Sequence, residues 1–253
     1  MPICIENHKF QWLRHPGRVV LFGVLLLTLG ACATLPGEPP ASEFVATVQT
    51  DDVELPRWWY LRFRLRRNEE GDVDSFLDLL IADQILAPAV ADNEKDIELW
   101  RFHRRWPRDA TGHQFSFVFF SPALVAKAVT RQIEQNPLLE KLRADGHLVE
   151  CRMDQVGPDR ATDPAATSDP SWPPAIQREW PKFIMGASRM WLGLVQSEAT
   201  KQTDRDLYVR YRAVEVALDD LWFSKANHAF FHHLSALFGY KPVRVIRRDI
   251  MTF

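Results

Sequence analysis

The hydrophobic pattern of this chain changes period several times, and each change marks an element. From Trp58 to Arg66 the residues alternate strictly, with Trp59, Leu61, Phe63 and Leu65 on one face and Tyr60, Arg62, Arg64 and Arg66 on the other. That period of two predicts a half-buried strand. After a polar turn at 68–72, Phe76, Leu79, Leu80 and Ile85 recur at helical spacing. This predicts a helix from Asp74 to about Leu86 with Asp74 as its N-cap. Alternation returns over Ile97 to Trp106, putting Trp100, Phe102 and Trp106 on one face. Beyond a turn at 108–112, Phe115, Phe117 and Phe119 continue it as the second arm of a hairpin. Ser121-Pro122 reads as an N-cap followed by Pro at N1, opening a helix to about Gln135. Asn136-Pro137 repeats the device for a short helix ending near Gly146. Leu148 to Met153 reads as a strand with Val149, Cys151 and Met153 inward, which makes Cys151 a core residue.

The resulting order, β-α-β-β-α-β, is that of the ferredoxin-like split motif. The predicted fold class is therefore α+β, an antiparallel sheet followed by a helical segment and a final edge strand. The shift comes at 155–175, where five prolines and three aspartates read as a linker or long surface loop. Beyond it, Trp180, Phe183, Ile184, Ala187, Trp191, Leu194 and Val195 form one helical stripe. A second stripe runs Leu207, Tyr211, Val214, Leu218, Leu221 and Trp222, behind a Thr203/Asp206 capping box. A third helix is predicted from a Ser224 cap, with Phe230, Phe231, Leu234, Leu237 and Phe238 inward and Gly239 ending it. Gly186 and Gly193, seven apart, predict a surface for close helix packing. Phe44 to Thr50 reads as a short first strand, and Val243 to Ile250 alternates as the last.

The N-terminal segment follows a different logic. Lys9, Arg14 and Arg18 precede an apolar run from Val19 to Thr28. The run falls short of the roughly 20 apolar residues that cross a bilayer and has the pattern of a secretory signal. At its end, Leu29-Gly30-Ala31-Cys32 resembles the lipobox of bacterial lipoproteins. The resemblance implies a thioether-linked diacylglycerol on Cys32, cleavage before it, and acylation of the new amine. Several acyl chains anchor stably where one is marginal. Ala33, where Asp is absent, resembles the outer-membrane sorting outcome of Gram-negative bacteria. The rival reading of the run is a plain transmembrane anchor that ends in Cys. The expected organisation is a signal at 1–31, lipidated Cys and tether at 32–43, and a sheet domain at 44–154. The linker at 155–175 and a helical segment with terminal strand at 176–253, packed on the sheet, complete it.

Composition narrows the classes. Hydrophobic residues at 46% and charged residues at 25% exclude wholesale disorder. Lys+Arg 31 against Asp+Glu 33 gives a net charge of -2, so no basic excess points to nucleic acid. The signal carries three of those cations and one acid (Glu6), so its removal leaves 28 against 32, a net of -4. Three cysteines exclude a disulfide scaffold. Cys4 leaves with the signal and Cys32 is lipidated, so Cys151 remains alone.

Common nucleotide, serine-hydrolase and zinc-protease signatures are absent, and no cofactor is expected. Two clusters are candidates. His228 and His232, with His233 beside them, have the i, i+4 spacing that suits a divalent transition metal. Glu198 on the apolar stripe of its own helix is the best third ligand, with Glu215 behind it. The bland reading makes these histidines hydrogen-bonding groups at a helix surface. The second cluster is a basic sheet face of Arg62, Arg64, Arg101, His103 and Arg105, joined by Arg152. Arginine forks suit anionic lipid head groups or acidic envelope proteins. Alternatively the C-terminal helices cover this face, with Asp204, Asp206, Asp219 and Asp220 neutralising it. Asp219 and Asp220 themselves point about 100° apart on a helix and form no catalytic pair. The aromatic content also allows an apolar cleft between sheet and helices. Two functions are therefore expected in competition. One is a membrane-anchored, non-enzymatic envelope lipoprotein acting by binding or assembly. The other is a metal-dependent periplasmic enzyme built on His228 and His232.

Overall fold

Strict alternation does become strand. In the computed structural model, which describes residues 55–105, 112–155 and 161–240, four strands form one antiparallel sheet in the order β2-β3-β1-β4. They are β1 (Arg57–Leu65), β2 (Leu99–Arg104), β3 (Gln114–Ser121) and β4 (Leu148–Gln155). The segment 1–54, Trp106 and the strand expected over Val243 to Ile250 lie outside the described residues. On the inner face, Trp59 opposes Phe119, Leu61 opposes Phe117 and Phe63 opposes Phe115, all buried. Phe117 and Phe119 stack at 4.9 Å, and Trp100 packs 6.1 Å from Phe117.

One strand departs from its expected facing. Arg64 pairs with Glu150 but Leu65 pairs with Leu148, so Val149 is an extra residue. Such a bulge re-aims the strand, and with a period of two, one extra residue exchanges the faces. Leu148 is buried, Val149 is 46% exposed, and Cys151 and Met153 are half-buried against the core.

The helices are longer and less interrupted than the sequence signals suggest. α1 (Phe76–Ile81) runs through a π turn (Ala82–Leu86) into α2 (Ala87–Asp92). Pro88 would normally end a helix, because it lacks an N–H. The π turn absorbs it: the Ala87 N–H reaches back to the Ala82 carbonyl. Asp74 does not cap this helix; Ser75 precedes it, without a side-chain cap. α3 (Ala123–Glu134) follows Pro122 as N-cap, and Ser121 remains in the strand. α4 (Pro137–Ala144) is capped as expected, with Asn136 accepting from the Leu138 N–H at 2.9 Å. α5 (Pro174–Lys201) is a single 28-residue helix. α6 (Leu207–Leu221) continues through a second π turn (Trp222–Ala226) into α7 (Asn227–Leu237). Its cap is Asp206, which accepts from Tyr208 and Val209; Thr203 lies outside the helix. Ser224 caps nothing, since it sits inside the π turn. Gly239, at φ +71°, ends α7 as expected.

Helices α1 to α4 contribute their apolar faces to the core on the inner side of the sheet. α5 runs along the β2 edge, where the Phe102 N–H donates to Ser188 Oγ at 3.1 Å and that hydroxyl donates to Ile184 O at 2.8 Å. A free strand edge is thereby covered. α6 packs on α1: the Tyr211 hydroxyl donates to the Asp83 carboxylate and accepts from Gln84 Nε2 at 2.8 Å. Burial, then the bond to Asp83, raises the Tyr211 hydroxyl above its ordinary value. α7 has no buried residue, so its five expected inward side chains are not core.

The outer face has its own small core of Trp58, Val118 and Phe120. Residues 161–168 pack on it. The Trp58 N–H donates to Ala161 O at 2.9 Å, and its indole Nε1 donates to Asp163 O at 3.0 Å and Pro164 O at 3.2 Å. This half of the expected linker is a structured cover, closed by a 3-10 turn (Pro164–Thr167).

Candidate functional site

The register places the basic side chains on neighbouring rungs of the outer face. Arg62 lies across from Ser116 and Arg152, Ser116 opposes His103, and Arg101 opposes Val118 next to Tyr60. Their charge is answered by β4 itself. Arg62 pairs with Asp154 at 2.8 Å, Arg64 with Glu150 at 3.3 Å, and Arg152 with Asp154 at 3.1 Å. At Arg101 the cover intrudes: its guanidinium donates to Thr167 O at 3.3 Å, and burial lowers its pKa. Desolvation, then the charges of Arg101 and Arg105, hold the His103 imidazole below its ordinary value. The register thus sets Arg62, Arg64, Arg101 and His103 on alternate positions of one face, and the carboxylates that pair with Arg62, Arg64 and Arg152 come from β4.

The metal candidates do not converge with their carboxylate. His228 and His232 stack at 5.3 Å, and His233 lies edge-on to His232. Glu198 instead pairs with Lys201 at 2.6 Å on its own helix. Among the described residues no three potential ligands come together.

Two features escape the sequence reading. The first is a buried acid–base cluster. Asp78 on α1 is fully buried, and His113 Nε2 donates to both its oxygens at 2.9 and 3.0 Å. Arg104 Nε reaches the same carboxylate at 2.9 Å, and its guanidinium lies over the Trp191 ring at 5.0 Å. Burial, then Asp219, raises the Glu215 carboxyl nearby. His113 is 2% exposed, and its bond to Asp78 clamps the β2–β3 hairpin to α1. Signals were available. Asp78 interrupts the run Phe76-Leu77-Asp78-Leu79-Leu80, and His113 shares the parity of Phe115, Phe117 and Phe119.

The second is an open apolar groove of about 1020 Å³ between α5 and the α6–α7 rod. Gly186, Ala187 and Met190 form one wall, and Leu218, Phe230 and Leu234 the other. The predicted α5 stripe is thus divided. Trp191 and Val195 pack on the core, whereas Phe183 and Leu194 line the groove. Gly186 and Gly193 mediate no close packing; a Cβ on either would meet nothing within 4 Å. Lys182 and Asp219 supply opposite charges at the groove wall.

No family model matches this chain, and no curated protein matches it. Among solved structures, it is similar to the tRNA dependent lantibiotic dehydratase MibB from Microbispora sp. 107891. The likeness covers 58% of this chain and 12% of that chain, at 19% identity and a TM-score of 0.39.

The lone thiol of the folded region has a distinct chemistry. Burial raises Cys151 from 9.0 to about 11. A thiol is reactive as its thiolate, and two pH units reduce that form roughly 100-fold. At pH 8, alkylation of Cys151, followed by peptide mass spectrometry, is expected to be slower by roughly that factor in native than in unfolded chain. Equal rates would refute the buried assignment. The sign for stability follows. The unfolded thiol ionises first, so this contribution falls as pH rises above about 9, and it is unchanged at lower pH.

Proposed function

We propose that this chain is a membrane-anchored cell-envelope lipoprotein, held through lipidated Cys32 at the outer membrane and acting in the periplasm by binding or assembly. The anchor rests on the basic segment, the apolar run and the lipobox-like Leu29-Gly30-Ala31-Cys32. The observation that carries the binding reading is the open apolar groove between α5 and α6–α7. Burying such a surface is the main driving force of association, and exposed patches of this kind mark interaction sites. The Asp78–His113 pair is buried, which supports a structural role for it. At the finer level of fold, we read the sheet as ferredoxin-like. The order from β4 is β4-β1-β3-β2, and helices link β1 to β2 and β3 to β4, which supports that reading.

The anchor and the binding are tested separately. Cys32→Ala is expected to abolish acyl labelling and processing, and to release the chain from the membrane fraction; normal processing would refute the anchor. A photo-crosslinking residue at Ala187 of the full chain is expected to give an adduct in cells that disappears with Leu234→Glu. An adduct indifferent to that change, or none, would refute binding in the groove.

A further inference from the structure

We infer that the groove between α5 and α6–α7 is a self-association surface, filled by the α7 helix of a second copy of this chain. The inference rests on the binding reading and names its occupant.

The exposed apolar area on and beside the groove approaches what a stable pair requires. Phe223 is 76% exposed, Phe231 66% and Phe238 68%, with Phe183 and Trp222 about half exposed beside them. At roughly 200 Å² per aromatic side chain these five present about 600 Å². Met190 and Leu237, the latter 85% exposed, enlarge the patch. A standard interface takes about 800 Å² from each partner, whereas the largest patch on a typical monomer is about 300–600 Å².

The surface is also complementary to itself. Residues 226–240 contain no Asp, Glu, Lys or Arg, although a solvated surface helix normally carries charge on its outer side. The α7 aromatics supply projecting side chains. The open Gly186 and Ala187 wall of α5 supplies the place to receive them. A two-fold arrangement lets each copy give its α7 and receive its partner's, as an isologous interface demands. Lys182, which in a single copy pairs with Glu179 at 3.0 Å, also has an opposite charge within reach across such a contact. Lys182 on α5 and Asp219 on α6 sit on opposing sides of the groove, so two-fold symmetry can bring the lysine of one copy to the aspartate of the other. Those acids, Asp219 and Asp220, disfavour an anionic bilayer as the occupant.

Full-length lipidated protein in detergent is expected to have a protein mass of two chains by light scattering. Leu237→Lys and Ala187→Glu are each expected to halve it with the far-ultraviolet circular dichroism unchanged. Leu237 is the safer of the two, because it is 85% exposed and packs in no core cluster of the described residues. A one-chain mass for the unmodified protein overturns the inference, as does a two-chain mass that survives both substitutions. The Ala187 adduct separates the two readings. If the mass is that of one chain but a Leu234-dependent adduct persists, to lipid or to another molecule, the groove binds and the second copy is refuted. If the adduct is also absent, both readings fall.

Discussion

Asp78→Ala is expected to lower the unfolding free energy by about 3 kcal/mol, toward the low end of the 3–5 kcal/mol seen when a buried ion pair loses one partner. Asp78 is the common acceptor for His113 Nε2 and Arg104 Nε. Without it, His113, 2% exposed, loses the partner that its Nε2 has among the described residues, where its Nδ1 has none. A buried polar group without a partner keeps its full desolvation cost. Arg104 contributes less to the loss, because its side chain is 39% exposed and water can take over part of the bonding. For a chain of this size the melting temperature is expected to fall by about 10 °C. Asp78→Asn keeps the volume and one acceptor and is expected to fall between Ala and the unmodified chain. A loss below about 1 kcal/mol for Asp78→Ala would mean that the cluster does not clamp the hairpin to α1.

Trp58→Ala is the second large effect, expected at about 3–5 kcal/mol for a buried aromatic. Trp58 is 1% exposed, packs 5.2 Å from Phe120, and holds the 161–168 cover through two indole hydrogen bonds. Trp58→Phe separates the contributions: it keeps the ring contact, loses the indole N–H, and is expected to cost about 1 kcal/mol. Releasing the cover also uncovers Arg101, whose guanidinium bonds to Thr167 O. Hydrogen exchange is therefore expected to rise in 161–168 with Trp58→Ala. Protection of α1 and α6, which meet on the other side of the sheet, is expected to change only with global stability. Unchanged exchange at Ala166 and Ser168, whose N–H groups bond within the turn, would refute the pinning role.

How legible the fold was depends on the distance over which each signal acts. The alternation of β1 and β3, the Asn136-Pro137 cap and the Gly239 stop all came through, because each is decided by residues within one turn or one pleat. The helix interiors did not. The first helix was expected to end near Leu86 and Ser224 to open the last, yet both positions lie in π turns of continuous helices, which exchange an i→i-4 bond for an i→i-5 one. The facing of Val149 failed for a related reason. The bulge that turns it outward belongs to the pairing of Leu148 with Leu65, residues distant in sequence. At the candidate sites, the residue types were legible but their partners were not. On the basic face, Glu150 and Asp154 of β4 pair with Arg62, Arg64 and Arg152, partners that parity along single strands does not reveal. Glu198 looked like a stranded carboxylate on an apolar stripe, and Lys201 on the next turn neutralises it.

By itself, the sequence determined the α+β class and the alternation of β1 and β3, since these follow from the spacing of apolar side chains along the chain. The tertiary structure alone decided which charges meet, that Asp78 and His113 are buried together, and that α7 stands away from the core with its apolar side chains open. Those outcomes depend on where remote segments come to rest. No local pattern encodes whether an apolar stripe finds a partner within its own chain.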